Sequence, residues 1–77
     1  MEPTVARETL DLRGVRCPLS WARARVRLDS MPSRTQLDLL LDDPQGATDI
    51  PRAAEAAGHH IINVADEGGC WRITIEV

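Results

Sequence analysis

The sequence predicts a two-layer α/β (α+β) sandwich, in which two helices pack on one face of a mixed four-stranded β-sheet. The spacing of its apolar residues switches several times between about two and about three and a half positions, as in chains that alternate strands and helices. Turn-forming glycine, proline and aspartate residues separate these segments. Hydrophobic residues make up 43% of the 77 positions, which allows one modest core and a single domain over residues 1–77.

The predicted order β-α-β-α-β-β begins with a short strand and a helix. Residues 1–7 are expected to be a loose lead-in, and apolar alternation predicts the first strand over Thr9–Leu12. A helix is expected from Cys17 to about Ser30, because the proline after the cysteine is favoured in a first helical turn. Two apolar stripes compete on this helix, and the longer, bulkier one is taken as its core face. That stripe comprises Trp21, Ala24, Leu28 and Met31.

A second strand and a second helix follow. Leucine at every second position predicts a strand over Thr35–Leu41. Residues 42–46 are expected to form a turn, since Asp, Pro and Gly are frequent turn residues. The second helix is expected to open within residues 48–51 and to end at Gly58. Its apolar stripe comprises Ile50, Ala53, Ala54 and Ala57.

The last two strands are predicted to pair as a hairpin. They cover His60–Ala65 and Trp71–Val77, and the tight turn between them contains residues 67–69. The first strand–helix–strand unit is expected to be a right-handed crossover that joins parallel strands. One face of the sheet would then lie open to solvent or to a partner.

Composition excludes several classes of protein. The net charge of −3 argues against direct binding of nucleic acid. The polar N-terminus does not resemble a signal peptide, and no apolar run approaches membrane-spanning length. We therefore expect a cytoplasmic protein with no membrane partner. No motif indicates a cofactor or an oligomer, so a monomer without a cofactor is expected.

The most informative segment is Asp-Leu-Arg-Gly-Val-Arg-Cys-Pro at positions 11–18. Cys17 would lie at a helix start, where unpaired backbone N–H groups and the helix dipole favour an anionic sulfur, either a thiolate or a persulfide. Arg13 and Arg16 would add positive potential, and Gly14 would let the loop turn tightly. The residues alone equally allow an inert, partly buried cysteine that happens to precede Pro18.

The run Asp-x-Arg-Gly-x-x-Cys-Pro resembles the signature of the TusA/SirA-like family of sulfurtransferases. Three further matches follow in register, so that the resemblance covers about residues 9–77: Asp42-Asp43-Pro44, Asp49-Ile50-Pro51 and Gly58-His59. The resemblance implies that Cys17 accepts sulfane sulfur as a persulfide from a donor such as a cysteine desulfurase or a rhodanese-like protein. It also implies relay of that sulfur to an acceptor protein, for tRNA thiolation, cofactor assembly or sulfur oxidation.

One position departs from the family pattern. The family usually has Cys-Pro-x-Pro, whereas this chain has Cys-Pro-Leu-Ser, with Ser20 in place of the second proline. Serine is compatible with a helix there, and its hydroxyl is expected to find a local backbone partner. This change does not require a loss of sulfur binding. It is expected to affect the choice of partner and the transfer of sulfur.

The first helix is also rich in arginine, and the stretch 13–28 contains no acidic residue. These arginines form either a solvated helix face or a basic patch that docks an acidic partner beside the sulfur. Arg23 and Arg27 are the candidates for docking. His59, near the junction of the second helix and the third strand, is a further candidate for the surface beside the cysteine loop.

The two cysteines leave other functions open. Cys17 and Cys70 are too few for the disulfide framework of a small secreted domain, so both are expected to be free thiols. Cys70 is either a small residue at a strand start or a functional thiol, which would be a resolving thiol or a second sulfur site. The spacing of His59 and His60 relative to the cysteines does not suit zinc, so no metal is expected. Two alternatives therefore accompany the sulfur carrier: a non-catalytic interaction or regulatory module, and a thiol redox switch.

Overall fold

The computed structural model describes residues 7–77. Four strands and two helices follow in the order β1 (Arg7–Asp11), α1 (Leu19–Ser30), β2 (Gln36–Leu41), α2 (Pro44–Ala56), β3 (His60–Asp66) and β4 (Trp71–Glu76). The strands form one sheet in the spatial order β1-β2-β4-β3. β1 is parallel to β2, and the other two pairings are antiparallel. This is the predicted mixed sheet with its closing hairpin, and the predicted fold class is confirmed.

The core lies between the two helices and one face of the sheet. The leucines at alternate positions of β2 are fully buried, as the sequence pattern predicts. These leucines are Leu37, Leu39 and Leu41. They pack with apolar residues from β4 and from both helices: Ile73, Ile75, Ala24, Leu28, Ile50 and Ala54. The predicted core face of α1 is therefore correct, except that Trp21 is only partly buried against the core. None of the helices within residues 7–77 is long and apolar enough to cross a membrane.

The first strand begins earlier than predicted. It starts at Arg7, which pairs with Gln36, and not at Thr9. The alternation of apolar residues could not show this, because Arg7 is polar and lies on the solvent face. Residues 1–6 of the predicted lead-in lie outside the described residues. At its other end the strand stops at Asp11, although the Leu12 N–H still donates to the Leu40 carbonyl at 2.8 Å.

The second helix also begins earlier than predicted, at Pro44. Asp43 is its N-cap, and the Asp43 Oδ1 atom accepts the Gln45 N–H at 3.1 Å. Aspartate before a proline at the first helical position is a strong helix start, so the prediction of a turn over 42–46 is wrong. Pro51 lies inside the helix, where its ring nitrogen cannot donate a hydrogen bond.

A buried carboxylate organises the open face of the sheet. Asp38 on β2 is only 3% exposed although no helix covers it. Its carboxylate accepts the Thr74 hydroxyl at 2.8 Å, the Arg7 Nε–H at 3.0 Å and an Arg72 N–H at 3.1 Å. Burial raises the pKa of Asp38, but these hydrogen bonds outweigh it and leave the pKa below its usual value. The cluster therefore joins β1, β2 and β4 across the face opposite the core.

Replacing this carboxylate should destabilise the sheet. We expect Asp38→Ala to lower the free energy of unfolding by about 2 kcal/mol at neutral pH, because the Thr74 hydroxyl and both guanidinium groups lose a charged acceptor. Urea titration followed by circular dichroism measures this. The control is Asp29→Ala, which removes an exposed carboxylate that forms only a long salt bridge of 4.0 Å with Arg25 and should change stability little.

The difference between the two Asp38 proteins should also depend on pH. Because the folded pKa of Asp38 is depressed, its stabilising contribution is present above the unfolded value of about 3.9 and is lost as the pH falls through the folded pKa. Urea titrations repeated between neutral and acidic pH should show the wild-type and Asp38→Ala curves converging. A difference in the free energy of unfolding that stays the same at every pH would contradict ionisation of Asp38 in the folded protein.

Candidate functional site

The site lies at the edge of the sheet where the parallel strands β1 and β2 both end. The loop after β1 carries the cysteine, and the start of α2 after β2 carries two acidic residues, so the parallel pairing brings the two segments together. Between them opens a cleft of about 630 Å³. It is lined by Gly14, Arg16, Cys17, Asp42, Asp43, Pro44 and Gln45.

The first part of the cysteine loop is fixed by the carboxylates of Asp11 and Asp42. Gly14 has φ of +82°, a conformation that favours glycine, and its N–H donates to the two Asp42 carboxylate oxygens at 2.9 and 3.1 Å. The Arg13 guanidinium donates to Asp11 at 2.8 and 2.9 Å, which lowers the pKa of Asp11 to about 2. Arg13 is therefore held by its own carboxylate partner.

Cys17 is half-buried at the end of this loop, just before α1. Its backbone N–H donates to the Asp43 Oδ2 atom at 3.0 Å. This bond is the largest cause that lowers the pKa of Asp43 below its usual value. The predicted environment of unpaired N–H groups is therefore only partly present, because the N–H of Cys17 itself has an acceptor.

The helix begins two residues after the cysteine. Pro18 occupies the N-cap position, its peptide bond with Cys17 is cis, and no side chain caps the helix within the described residues. The first turn of α1 contains no acidic residue. The helix therefore supplies no carboxylate of its own to neutralise the positive end of its dipole, which faces the loop.

Ser20, at the position where the sequence resemblance leads us to expect a second proline, is fully buried. Its N–H donates to the Arg16 carbonyl at 3.1 Å, a bond that proline cannot make. Its Oγ atom has no hydrogen-bond partner among the described residues, so the prediction of a local partner for this hydroxyl is wrong. The Ser20 hydroxyl instead faces Gly46 of α2, where a β-carbon would lie 3.5 Å from the Oγ atom.

Removing this hydroxyl should stabilise the protein. We expect Ser20→Ala to raise the free energy of unfolding by about 1 kcal/mol, because a buried hydroxyl without a partner is unfavourable. Thermal and urea unfolding measure the change. The control is Ser30→Ala, since the Ser30 hydroxyl donates to the Arg27 carbonyl and its removal should bring no gain. A loss of stability in Ser20→Ala would show that the hydroxyl has a favourable role.

The predicted docking residues have different surroundings. Arg16 lines the cleft, and Arg23 is exposed on α1 without a salt bridge within residues 7–77. Arg27 instead forms an ion pair with Glu8 on β1, which raises the pKa of the arginine. His59 follows α2 and is half-buried, with its N–H bonded to a carbonyl of that helix, and it does not line the cleft.

Cys70 lies at the same edge of the sheet as the cysteine loop. It directly precedes β4, whose first residue Trp71 pairs with the last residue of β2. The pKa of Arg13 is raised by its hydrogen bond with Asp11 and, to a smaller extent, by the nearby Cys70. Both cysteines are free and half-buried. Among residues 7–77, no cluster of three or more His, Cys, Asp and Glu side chains is placed to hold a metal ion.

The site residues that sequence reasoning missed are Asp42 and Asp43. The sequence predicts only a turn at these positions, whereas Asp43 caps α2. In addition, each accepts a backbone N–H of the cysteine loop. The available signal was their position directly after β2, since the carboxyl ends of parallel strands lie at one edge of a sheet.

Comparison with known proteins agrees with this architecture. The chain matches the family described as sulfurtransferase TusA over residues 8–77. A putative sulfur carrier protein of Archaeoglobus fulgidus is 33% identical over 72 residues, which cover 92% of this chain and 82% of the relative. The sulfur carrier protein TusA of Allochromatium vinosum is 30% identical over 69 residues, which cover 90% of this chain and 91% of the relative.

A solved structure shows the same fold. The crystal structure of a SirA-like protein from Desulfitobacterium hafniense matches with a TM-score of 0.80 at 22% identity, over 91% of this chain and 96% of that one. With the family match over nearly all of the described residues, the assignment is plain: the chain belongs to the TusA family of sulfurtransferases.

Proposed function

We propose that this protein is a sulfur carrier that accepts sulfane sulfur as a persulfide on Cys17 and relays it to an acceptor protein. The observation that carries the proposal is the position of Cys17, half-buried at an open cleft and directly before the uncapped start of α1. Membership of the sulfurtransferase family and the names of the related sulfur carriers support it. A cytoplasmic location agrees with two free thiols, which a reducing compartment maintains.

The proposed transfer is a pair of displacements at sulfur. The Cys17 thiolate attacks the terminal sulfur of a donor persulfide, a new S–S bond forms, and the donor cysteine leaves as a thiolate. An acceptor thiolate then attacks the terminal sulfur of the Cys17 persulfide, a new S–S bond forms on the acceptor, and Cys17 leaves as a thiolate. One S–S bond breaks as another forms in each step, so no external oxidant or reductant is needed.

The charges around the sulfur suit a temporary anion. The positive end of the α1 dipole and the exposed Arg16 favour a thiolate or persulfide anion. Asp42 and Asp43 oppose it, but both carboxylates accept N–H groups of the loop.

Intact-protein mass spectrometry tests the carrier function. After incubation with a cysteine desulfurase and cysteine, or with polysulfide, the wild type and Cys70→Ser should gain one sulfur atom, and the gain should disappear with reductant. Cys17→Ser should show no gain, because it lacks the accepting sulfur.

Two other outcomes would point to the alternatives. No gain on the wild type would contradict the carrier function and favour a non-catalytic interaction or regulatory module. Loss of two hydrogens, abolished by either cysteine substitution, would indicate a Cys17–Cys70 disulfide and a redox switch.

We further propose that donor and acceptor proteins dock on the exposed face of α1 beside the cysteine. Leu19 and Val26 are 52% and 72% exposed, and Arg23 lies between them on the same helix face. We call Arg16, Leu19, Arg23 and Val26 the docking strip. A partner with acidic residues around a small apolar surface would complement it. Arg27 contributes less in this proposal, because Glu8 already neutralises it.

Charge reversal at Arg23 tests this docking surface. We expect Arg23→Glu to slow sulfur loading from a protein donor by about tenfold, because the substitution places like charges across the interface. Loading from polysulfide should be nearly unchanged. The control is Arg52→Glu, which makes the same charge change on α2, about two turns from the cleft. Equal loading by the two variants from the protein donor would contradict the proposed surface.

A further inference from the structure

The carboxylate of Asp43 holds two segments of the chain at once. Its Oδ1 atom accepts the Gln45 N–H at 3.1 Å and so caps α2, while its Oδ2 atom accepts the Cys17 N–H at 3.0 Å. Cys17 and Asp43 lie 26 positions apart in the sequence. Capping the helix requires one acceptor oxygen, so the second oxygen is available for the cysteine loop.

Two hydrogen bonds hold the peptide group between Arg16 and Cys17. The Arg16 carbonyl accepts the Ser20 N–H, which ties this peptide to α1, and the Cys17 N–H donates to Asp43, which ties it to α2. Upstream, the loop is held at Val15 by a bond to the Leu12 carbonyl and at Gly14 by Asp42. The bond to Asp43 is therefore the contact that fixes the cysteine backbone against α2. A cysteine that must meet partner sulfurs in line benefits from such a fixed position.

We infer that Asp43 is a positioning residue for the sulfur-bearing cysteine, acting through the backbone N–H of Cys17 and not through the reacting atoms. The inference rests on the proposed sulfur-carrier function. An ionised carboxylate suits this role because it has two acceptor oxygens, one for the Gln45 N–H and one for the Cys17 N–H.

Two substitutions separate position from charge. Asp43→Asn removes one negative charge and one acceptor oxygen, and its oxygen can serve the α2 cap as well as aspartate does. Because only one oxygen remains, only one of the two N–H partners keeps an acceptor, and we expect the helix cap to keep it and the Cys17 N–H to face the amide NH2 group. Asp42→Asn removes the same charge beside the same cleft, but one oxygen suffices for its single N–H partner, Gly14. The pair therefore differs mainly in the bond to Cys17.

Amide hydrogen exchange, measured by NMR on the full chain, follows this bond directly. We expect the Cys17 amide to exchange about tenfold faster in Asp43→Asn than in the wild type, with the Gln45 amide nearly unchanged. In Asp42→Asn the Cys17 amide should keep its wild-type rate. Unchanged exchange at Cys17 in Asp43→Asn would overturn the inference.

Sulfur loading shows whether the position affects the reaction. In a Cys70→Ser background, with polysulfide as the donor, charge alone predicts that Asp43→Asn loads at least as fast as Asp42→Asn, because Asp43 is bonded to Cys17 itself and loss of a nearby negative charge favours the thiolate. Positioning predicts that Asp43→Asn loads more slowly than Asp42→Asn, by at least about threefold. Equal or faster loading of Asp43→Asn would overturn the inference even if the amide exchange differs.

The same experiment separates failure of this inference from failure of the proposed function. If the wild type takes up no sulfur, the carrier function is contradicted, and alkylation of Cys17 by iodoacetamide replaces loading as the kinetic comparison. Slower alkylation of Asp43→Asn than of Asp42→Asn would then support the positioning role, and equal or faster alkylation would overturn it. The Cys70 thiol, alkylated in a Cys17→Ser background, should react at one rate in all proteins and so reports any global loosening.

Discussion

The parallel pairing of β1 with β2 is the constraint on which the site depends. Because both strands run in the same direction, the loop after β1 and the helix after β2 begin at one edge of the sheet. The cysteine loop and the start of α2 therefore become neighbours although Cys17 and Asp43 lie far apart in sequence. An antiparallel pairing would have placed the two segments at opposite edges, and neither the cleft nor the loop contacts would exist.

The pairing itself is stabilised from both faces of the sheet. On one face the leucines of β2 are fully buried beneath the helices. On the other face Arg7 from β1 and Arg72 from β4 both donate hydrogen bonds to Asp38 of β2. Burial of a carboxylate is unfavourable unless its oxygens are bonded, so the cluster also disfavours any register that would leave Asp38 without these partners. A shift of one residue would turn this carboxylate into the core.

The sequence allowed most of the fold to be predicted, and less of the site. Alternating leucines in β2 and the stripe of α1 report burial directly, because periodicity follows from the geometry of strands and helices. The start of β1 was missed because Arg7 is held by pairing and by Asp38, neither of which leaves an apolar signal. The start of α2 was missed because Asp followed by Pro is common to turns and to helix starts.

Within the site, the sequence could indicate Cys17 but not its contacts. The local pattern places a cysteine near a helix start, and that much follows from residues close in sequence. The acceptor of the Cys17 N–H comes from another element, so only the sheet topology reveals it. The same holds for Arg13 and Arg27, whose charges were expected near the sulfur and are instead neutralised by Asp11 and Glu8. Long-range partners decide which charges remain available.

Ser20 restrains the first turn of α1 at the position where the sequence resemblance leads us to expect a second proline. A proline limits the turn through its ring, whereas Ser20 limits it through an N–H bond to the Arg16 carbonyl. The exchange leaves a buried hydroxyl without a partner beside Gly46. A β-carbon at position 46 would stand in ordinary van der Waals contact with this hydroxyl, so the space between α1 and α2 does not itself require glycine there. The turn that carries the cysteine is therefore held by its own backbone bond on one side and by Asp43 on the other, so its geometry does not depend on a proline at position 20.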